Sequence, residues 1–241
     1  MSFALALFVL YGCRVAFTAF LPSRRRTHHE RQQARTGEKS WDITKVKSYP
    51  RDLHDVCETI FLLRQKIVPD LIPEVLDLAE YWIVTSAARA SRRAEFTQSN
   101  AGRAYVIASL PDYLPVGSVR KIAFSTVSRD QGWSSFPEQH GTYENSNTWF
   151  EVVVYEPDPY ELARVVTPRM RIITNVHAGK EWKKHDVVWT HDDEDEEVRL
   201  VVKGIKGGQR VALTAWAQYP GWKNNVSSAS VDIYTPKVRR G

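Results

Sequence analysis

From residue 100 to residue 236 the chain is a series of short β-forming runs separated by turn residues. The runs are RAYVIAS, VRKIAFSTV, TWFEVVVYE, RMRIITNV, HDVVWT, EVRLVVKG, QRVALTAWAQY and SSASVDIYT. YLPVGS, YEPDPYEL, HDDED, GIKGG and YPGWKNN stand among the breaks. Parallel strands need crossovers of about a dozen residues or more, and no long helical pattern lies between these runs. Seven or eight strands therefore pair antiparallel. The fold class is mainly β: an antiparallel β-sandwich of the jelly-roll type, preceded by a short helical segment. Ile122 and Phe124, Val198, Leu200 and Val202, and Val231 and Ile233 alternate with polar neighbours, so those strands expose one face. Phe150, Val152 and Val154 oppose Trp149, Val153 and Tyr155, so that strand is expected to be buried on both faces. The expected core is Ile122, Phe124, Phe150, Val152, Leu200, Leu213, Val231 and Ile233.

Upstream the texture is different. From Asp52 to Trp82 the period is helical, with Leu53, Val56, Cys57, Ile60, Leu63 and Ile67 at i, i+3, i+4 spacing. IPEVLDLAEYWIV then puts Val75, Leu76, Ala79 and Trp82/Ile83 on one side. Two short helices bury little on their own, so the unit needs the sandwich or a partner. The expected organisation is an extension over 1–40, a helical segment over 41–99 and the sandwich over 100–241.

The formal charge of +5 belongs to the extension. Residues 1–40 hold seven basic and two acidic residues, which leaves 26 of each in 41–241. A balanced body gives no clustered phosphate-binding surface, so nucleic acid is not an expected partner. Residues 3–21 are apolar around Arg14 and precede Arg24, Arg25 and Arg26. Three readings stand: a membrane anchor, a targeting segment, and a leader with no function. Cys13 and Cys57 make neither a CxxC pair nor a zinc spacing, which suits a reducing compartment. The expected location is the cytoplasm, with attachment to a membrane through residues 3–21.

Catalytic patterns are missing. GWSSF is not a G-x-S-x-G elbow, and nothing in the sequence puts His140, His177, His185 or His191 beside a nucleophile. The spacings of His177, His185 and His191 do not pair zinc ligands closely. HDDEDEE lacks the glycine and ligand alternation of a calcium loop, and reads as a solvated tip that protects a sheet edge. KGIKGGQR reads as a hairpin turn, not a phosphate cradle. No catalytic residue, metal site or cofactor is expected.

Two resemblances add to this reading. VPDLIPEVLDLAEYW resembles the opening of an F-box in Val68-Pro69, Ile72, Val75 and Leu76, while Leu71 replaces the usual acid and Pro73 interrupts the helix. The layout DQGWSS…GTYENSNTWFEV, NVHAGKEWKKHDVVW and ALTAWAQYPGWKNNVSSASVDIY is similar to uncharacterised fungal proteins. In some of those, such a module is attached to F-box-like or ankyrin segments. The resemblance implies a galactose-binding-like sandwich and no established activity.

Chemistry is then left to aromatic residues in loops. Trp133, Phe136 and Tyr143 lie in one long connection, and Trp222 lies in YPGWKNN. A ring beside amides and carboxylates suits sugar or peptide recognition. It equally suits a ring folded back to staple its loop. The candidate ligand-binding residues are Asp130, Trp133, Tyr143, Trp222 and Asn224. The expected function is a non-catalytic recognition module that takes a protein or carbohydrate ligand at its end loops, as an adaptor of F-box type. The alternative is a membrane-anchored structural scaffold.

Overall fold

The computed structural model of the 241-residue chain describes residues 52–90, 93–156 and 164–236. Helix α1, Leu53–Leu63, starts where the Asp52 carboxylate accepts the Asp55 amide at 3.0 Å. A 3-10 turn at Pro69–Leu71 leads into α2, Ile72–Leu78, with Pro73 in its first turn, where a missing N–H costs nothing. The two helices bury only Val56, Ile72 and Leu76 between them, flanked by half-buried Ile60, Leu63, Ile67, Tyr81 and Ile83. The unit is fastened to the sandwich through Asp77. Its carboxylate accepts Trp82 Nε1 at 2.7 Å and Arg120 Nε at 3.0 Å. Burial raises the Asp77 pKa, but the hydrogen bonds from Arg120 and Trp82 outweigh it and hold the carboxyl below its ordinary value.

The strands are β1 (Ile83–Arg89), β2 (Ala94–Phe96), β3 (Ala104–Ser109), β4 (Lys121–Arg129), β5 (Thr148–Glu156), β6 (Arg164–Val165), β7 (Met170–Thr174), β8 (Lys183–Thr190), β9 (Arg210–Ala217) and β10 (Asn224–Thr235). They form two five-stranded antiparallel sheets. One has the order β1-β10-β4-β8, with β2 also on β10; the other has β3-β9-β5-β6, with β7 on β5. This is the antiparallel β-sandwich expected from the alternating runs, with the short helical segment ahead of it. Phe124 meets Trp189 edge to face at 5.1 Å between the sheets. Ile122, Phe150, Val152, Leu213, Val231 and Ile233 share that core. β5 is covered on both faces: Trp149 lies under the Arg171 guanidinium at 3.8 Å and stacks on Trp216.

Three expectations are corrected. EVRLVVKG is not a strand but helix α3, Glu196–Gly204. Val198, Val201, Val202 and Ile205 are the buried set, at i, i+3, i+4 and i+7, and Leu200 is 62% exposed rather than core. A valine-rich stretch of this length fits both periods. Its N-terminal chemistry decides: the Asp195 side chain caps the helix by accepting the Glu197 amide, and Glu196 and Glu197 face the positive end of the dipole. The acidic tip is thus a helix start, and the glycines after it lead from α3 into β9.

The helical segment also ends sooner than residue 99. Ile83 opens β1, which pairs with β10 from Ile83↔Thr235 to Arg89↔Ala229, and β2 pairs at its other end from Asn224↔Phe96 to Val226↔Ala94. Finally, the expectation of a cytoplasmic protein anchored in a membrane is withdrawn. No helix among the described residues is long and apolar enough to cross a membrane, and residues 3–21 lie outside the described residues.

Candidate functional site

The connections β4–β5, β7–β8 and β9–β10 leave the sandwich at one end, and α3 lies at the other. Below these loops the interior turns from apolar to polar. The inward positions of β4 run Ile122, Phe124, Thr126, Ser128, all buried. Ser128 Oγ donates to Asn175 Oδ1 at 2.7 Å, and Asn175 Nδ2 donates to Thr148 Oγ1 and Asn224 Oδ1, each at 3.0 Å. Asn224 Nδ2 in turn donates to the carbonyl of Trp149 at 3.0 Å. This network joins β4, β5, β10 and the β7–β8 loop, and fixes where each loop departs.

Asp130, at the end of β4, extends it. One carboxylate oxygen accepts the Gln131 amide at 2.8 Å and the Thr148 hydroxyl at 3.3 Å, and the other accepts the Ala178 amide at 2.9 Å. The side chain is 1% exposed. Burial pushes its pKa up to about 6, against the pull of these bonds and of nearby His177. Asp130 and Asn224 therefore do not face a ligand, as their sequence setting had implied. Loop-like neighbours disguised two interior groups.

Four residues on, Ser134 is the second anchor. Its hydroxyl lies 2.7 Å from His177 Nε2 and 3.1 Å from His140 Nε2, and accepts the Phe136 amide at 3.1 Å. The sequence had given no sign that a histidine reaches a serine here. His177 Nδ1 faces the Glu144 carbonyl at 2.9 Å. A carbonyl only accepts, so Nδ1 carries the proton and Nε2 accepts from Ser134. That tautomer would suit a general base. His177 itself is 0% exposed. The Ser134 oxygen is also held in its turn by Phe136. The arrangement ties a loop down.

Between these two inward anchors, Gly132 adopts φ +92° and turns the chain outward. Trp133 is consequently 60% exposed. A Cβ on Gly221 would lie 3.8 Å from the Trp133 ring, so the β4–β5 and β9–β10 loops meet at this ring. Gln131 completes the junction: its Oε1 accepts the Lys223 amide and its Nε2 donates to the Trp133 carbonyl. Phe136 and Tyr219, in the same two loops, are also exposed. Trp222 instead turns inward, edge-on to His177 at 5.3 Å, and is half-buried. Tyr143 is half-buried as well, with its hydroxyl 3.3 Å from His185 Nε2.

Of the five sequence candidates, then, one faces solvent, two are half-buried supports and two are interior. Gln131 and Gly221 were missed, because short polar turns look alike in sequence. Ser128 had one legible signal: the inward period of β4 continues through polar residues; Asn175, just past β7, had none. Among the described residues, Asp52, His54 and Asp55 form the one cluster of potential metal ligands. It is mostly exposed, and Asp52 is already used as a helix cap.

No family model matches the sequence, and no curated protein matches it. Among solved structures the chain is similar to the CBM22-1–GH10 modules of the N-terminal endo-1,4-β-D-xylanase 10B of Clostridium thermocellum, complexed with xylohexaose. Identity is 9% and TM-score 0.25, over 65% of this chain and 27% of that one. It is also similar to a xylan-binding module, CBM15, at 9% identity and TM-score 0.29, over 65% of this chain and 99% of that one. Likeness at this level says nothing about what this chain binds.

Proposed function

We propose that this chain is a non-catalytic recognition module that binds carbohydrate at the loop end of its sandwich, with Trp133 as the stacking face. The exposure of that ring carries the reading. Buried groups fix its loop on either side, so the ring is held rigidly in water at no further ordering cost on binding. Around it stand Gln131, Gly221 and the Lys180 stem, with Phe136 and Tyr219 exposed in the same two loops. A flat ring with directional polar neighbours suits a pyranose better than a protein hot spot. The burial of His177 supports the non-catalytic part.

A glycan array followed by affinity electrophoresis tests this. Trp133→Ala should lose binding while its melting temperature stays within about 2 °C of the wild type, because little of the ring is buried. A wild-type chain that binds no glycan refutes the proposal, as does a variant whose stability falls by about 3 kcal/mol or more.

A second reading has one observation in its favour. Phe61, Leu62, Val68, Leu71 and Leu78 of the helical segment are exposed, and such apolar side chains suit a protein partner. The adaptor role implied by the F-box resemblance would use this surface.

A further inference from the structure

Resting on the recognition reading above, we propose that the loop end takes an acidic saccharide, its carboxylate or sulfate group held by a cluster of unpaired cations beside Trp133. The body of the chain, residues 41–241, is electrically balanced, so cations that make no ion pair with a carboxylate are informative. The β7–β8 loop supplies Lys180, whose stem crosses Gly132: a Cβ there would come within 2.9 Å of Lys180 Cγ. The Lys180 carbonyl accepts Arg129 Nη1 at 2.8 Å. Arg129 and Arg93 lie over the same Trp182 ring, at 4.8 and 5.2 Å from its centroid. Lys183 lies over Tyr143 at 4.8 Å.

None of these four cations has a carboxylate partner among the described residues. The nearby acids Glu95 and Asp186 are already taken by Lys223 at 3.0 Å and Lys184 at 2.9 Å, Asp130 is buried in its own network, and Glu138, Glu144 and Glu181 of the same loops make no ion pair with these cations. Arg129 Nε, moreover, is buried without an acceptor. The indole supports both guanidiniums from its ring; with Arg129 Nη1 spent on the Lys180 carbonyl, Nη2 of Arg129 and the N–H edge of Arg93 are left for an anion.

A sugar ring stacked on Trp133 would project its substituents over Gly132 towards the Lys180 ammonium. Carboxylate and sulfate share the chemistry this cluster reads: a compact anion on a flat, hydroxylated ring. A nucleic-acid strand is less suited, because the balanced body of the chain offers no net positive charge to displace a strand's counterions.

The test uses the full chain on paired glycans: uronate-bearing oligosaccharides, their carboxyl-reduced neutral counterparts, and sulfated oligosaccharides. Acidic members should bind about tenfold more tightly than their neutral pairs at low salt, with the gap closing at high salt. Which acidic arm binds identifies carboxylate or sulfate as the group recognised. The Lys180→Glu/Lys183→Glu double variant should lose that gap while Trp133→Ala loses all binding. Equal binding of acidic and neutral members overturns this proposal and leaves the recognition reading standing. No binding of any glycan overturns both. Tighter binding of a single-stranded oligonucleotide than of any acidic glycan also overturns it.

Discussion

Asp130 and His185 titrate in opposite senses, and their effects on stability should nearly cancel until one of them is removed. Asp130 is pushed from 3.8 to about 6, chiefly by burial. His185 is 3% exposed and is lowered from 6.5 to about 4 by burial and by the Lys183 charge, with Asp186 pulling the other way. Between pH 3.8 and 6 the folded chain holds the Asp130 proton more tightly than the unfolded chain does. That contribution is complete below pH 3.8 and is lost as pH rises through 6. Between pH 4 and 6.5 the unfolded chain holds the His185 proton more tightly, so this contribution is complete above 6.5 and is lost as pH falls through 4. Each shift is a little over two units, at about 1.4 kcal/mol per unit, so each contribution is about 3 kcal/mol. Their slopes oppose each other over almost the same window.

Urea unfolding followed by tryptophan fluorescence, repeated at intervals from pH 4 to 7, gives the curves to compare. Relative to wild type, His185→Gln should lose about 2 kcal/mol of stability as pH rises from 4 to 6, because the His185 contribution that offsets Asp130 is gone. Asp130→Asn should show the reverse, gaining about 2 kcal/mol across the same range. The slope is the readout, since each substitution also changes hydrogen bonds that do not depend on pH. Variant curves that run parallel to the wild-type curve would refute the burial argument for both groups.

Three further outcomes test the packing. Phe124→Ala, deep against Trp189, should cost about 3–5 kcal/mol in urea unfolding. Within α3, Val202→Ala should cost about 2 kcal/mol and Leu200→Ala well under 1 kcal/mol, whereas a strand would put both on one buried face and make both costly. Asn175→Ala should cost about 3 kcal/mol or more, because it strands Ser128, Thr148 and Asn224 together; a loss under about 1 kcal/mol would mean water replaces the amide readily.

The sheets were legible in the sequence because their signal is local. Ile122/Phe124 and Val231/Ile233 alternate over a half-buried surface, and that alternation survives whatever the neighbours are. Where two periods fit one stretch, locality fails: 197–204 satisfies both, and only the Asp195 cap, a polar detail read as loop chemistry, separates them. Ile83–Arg89 failed for a related reason. Its sequence, IVTSAAR, has weak β character, and it becomes a strand because β10 is long enough to offer it an edge.

The proposed site was harder still, because it depends on which way a side chain turns, and that is set by partners far along the chain. Trp133 and Trp222 sit in similar turns, each next to a glycine with positive φ. One points out and the other in because the β4–β5 loop is pinned twice, by Asp130 on Ala178 and by Ser134 on His177. The β9–β10 loop has His177 itself as a buried edge for Trp222 to pack on. A single residue of the β7–β8 loop thus decides both orientations. His177→Ala should therefore free the Ser134 anchor and remove the support under Trp222 together. If Trp133 is held outward by this pinning, the variant should bind glycan more weakly and show a changed tryptophan emission maximum even under conditions where it remains folded. A folded His177→Ala chain with wild-type affinity would show that the Asp130 anchor alone orients the ring.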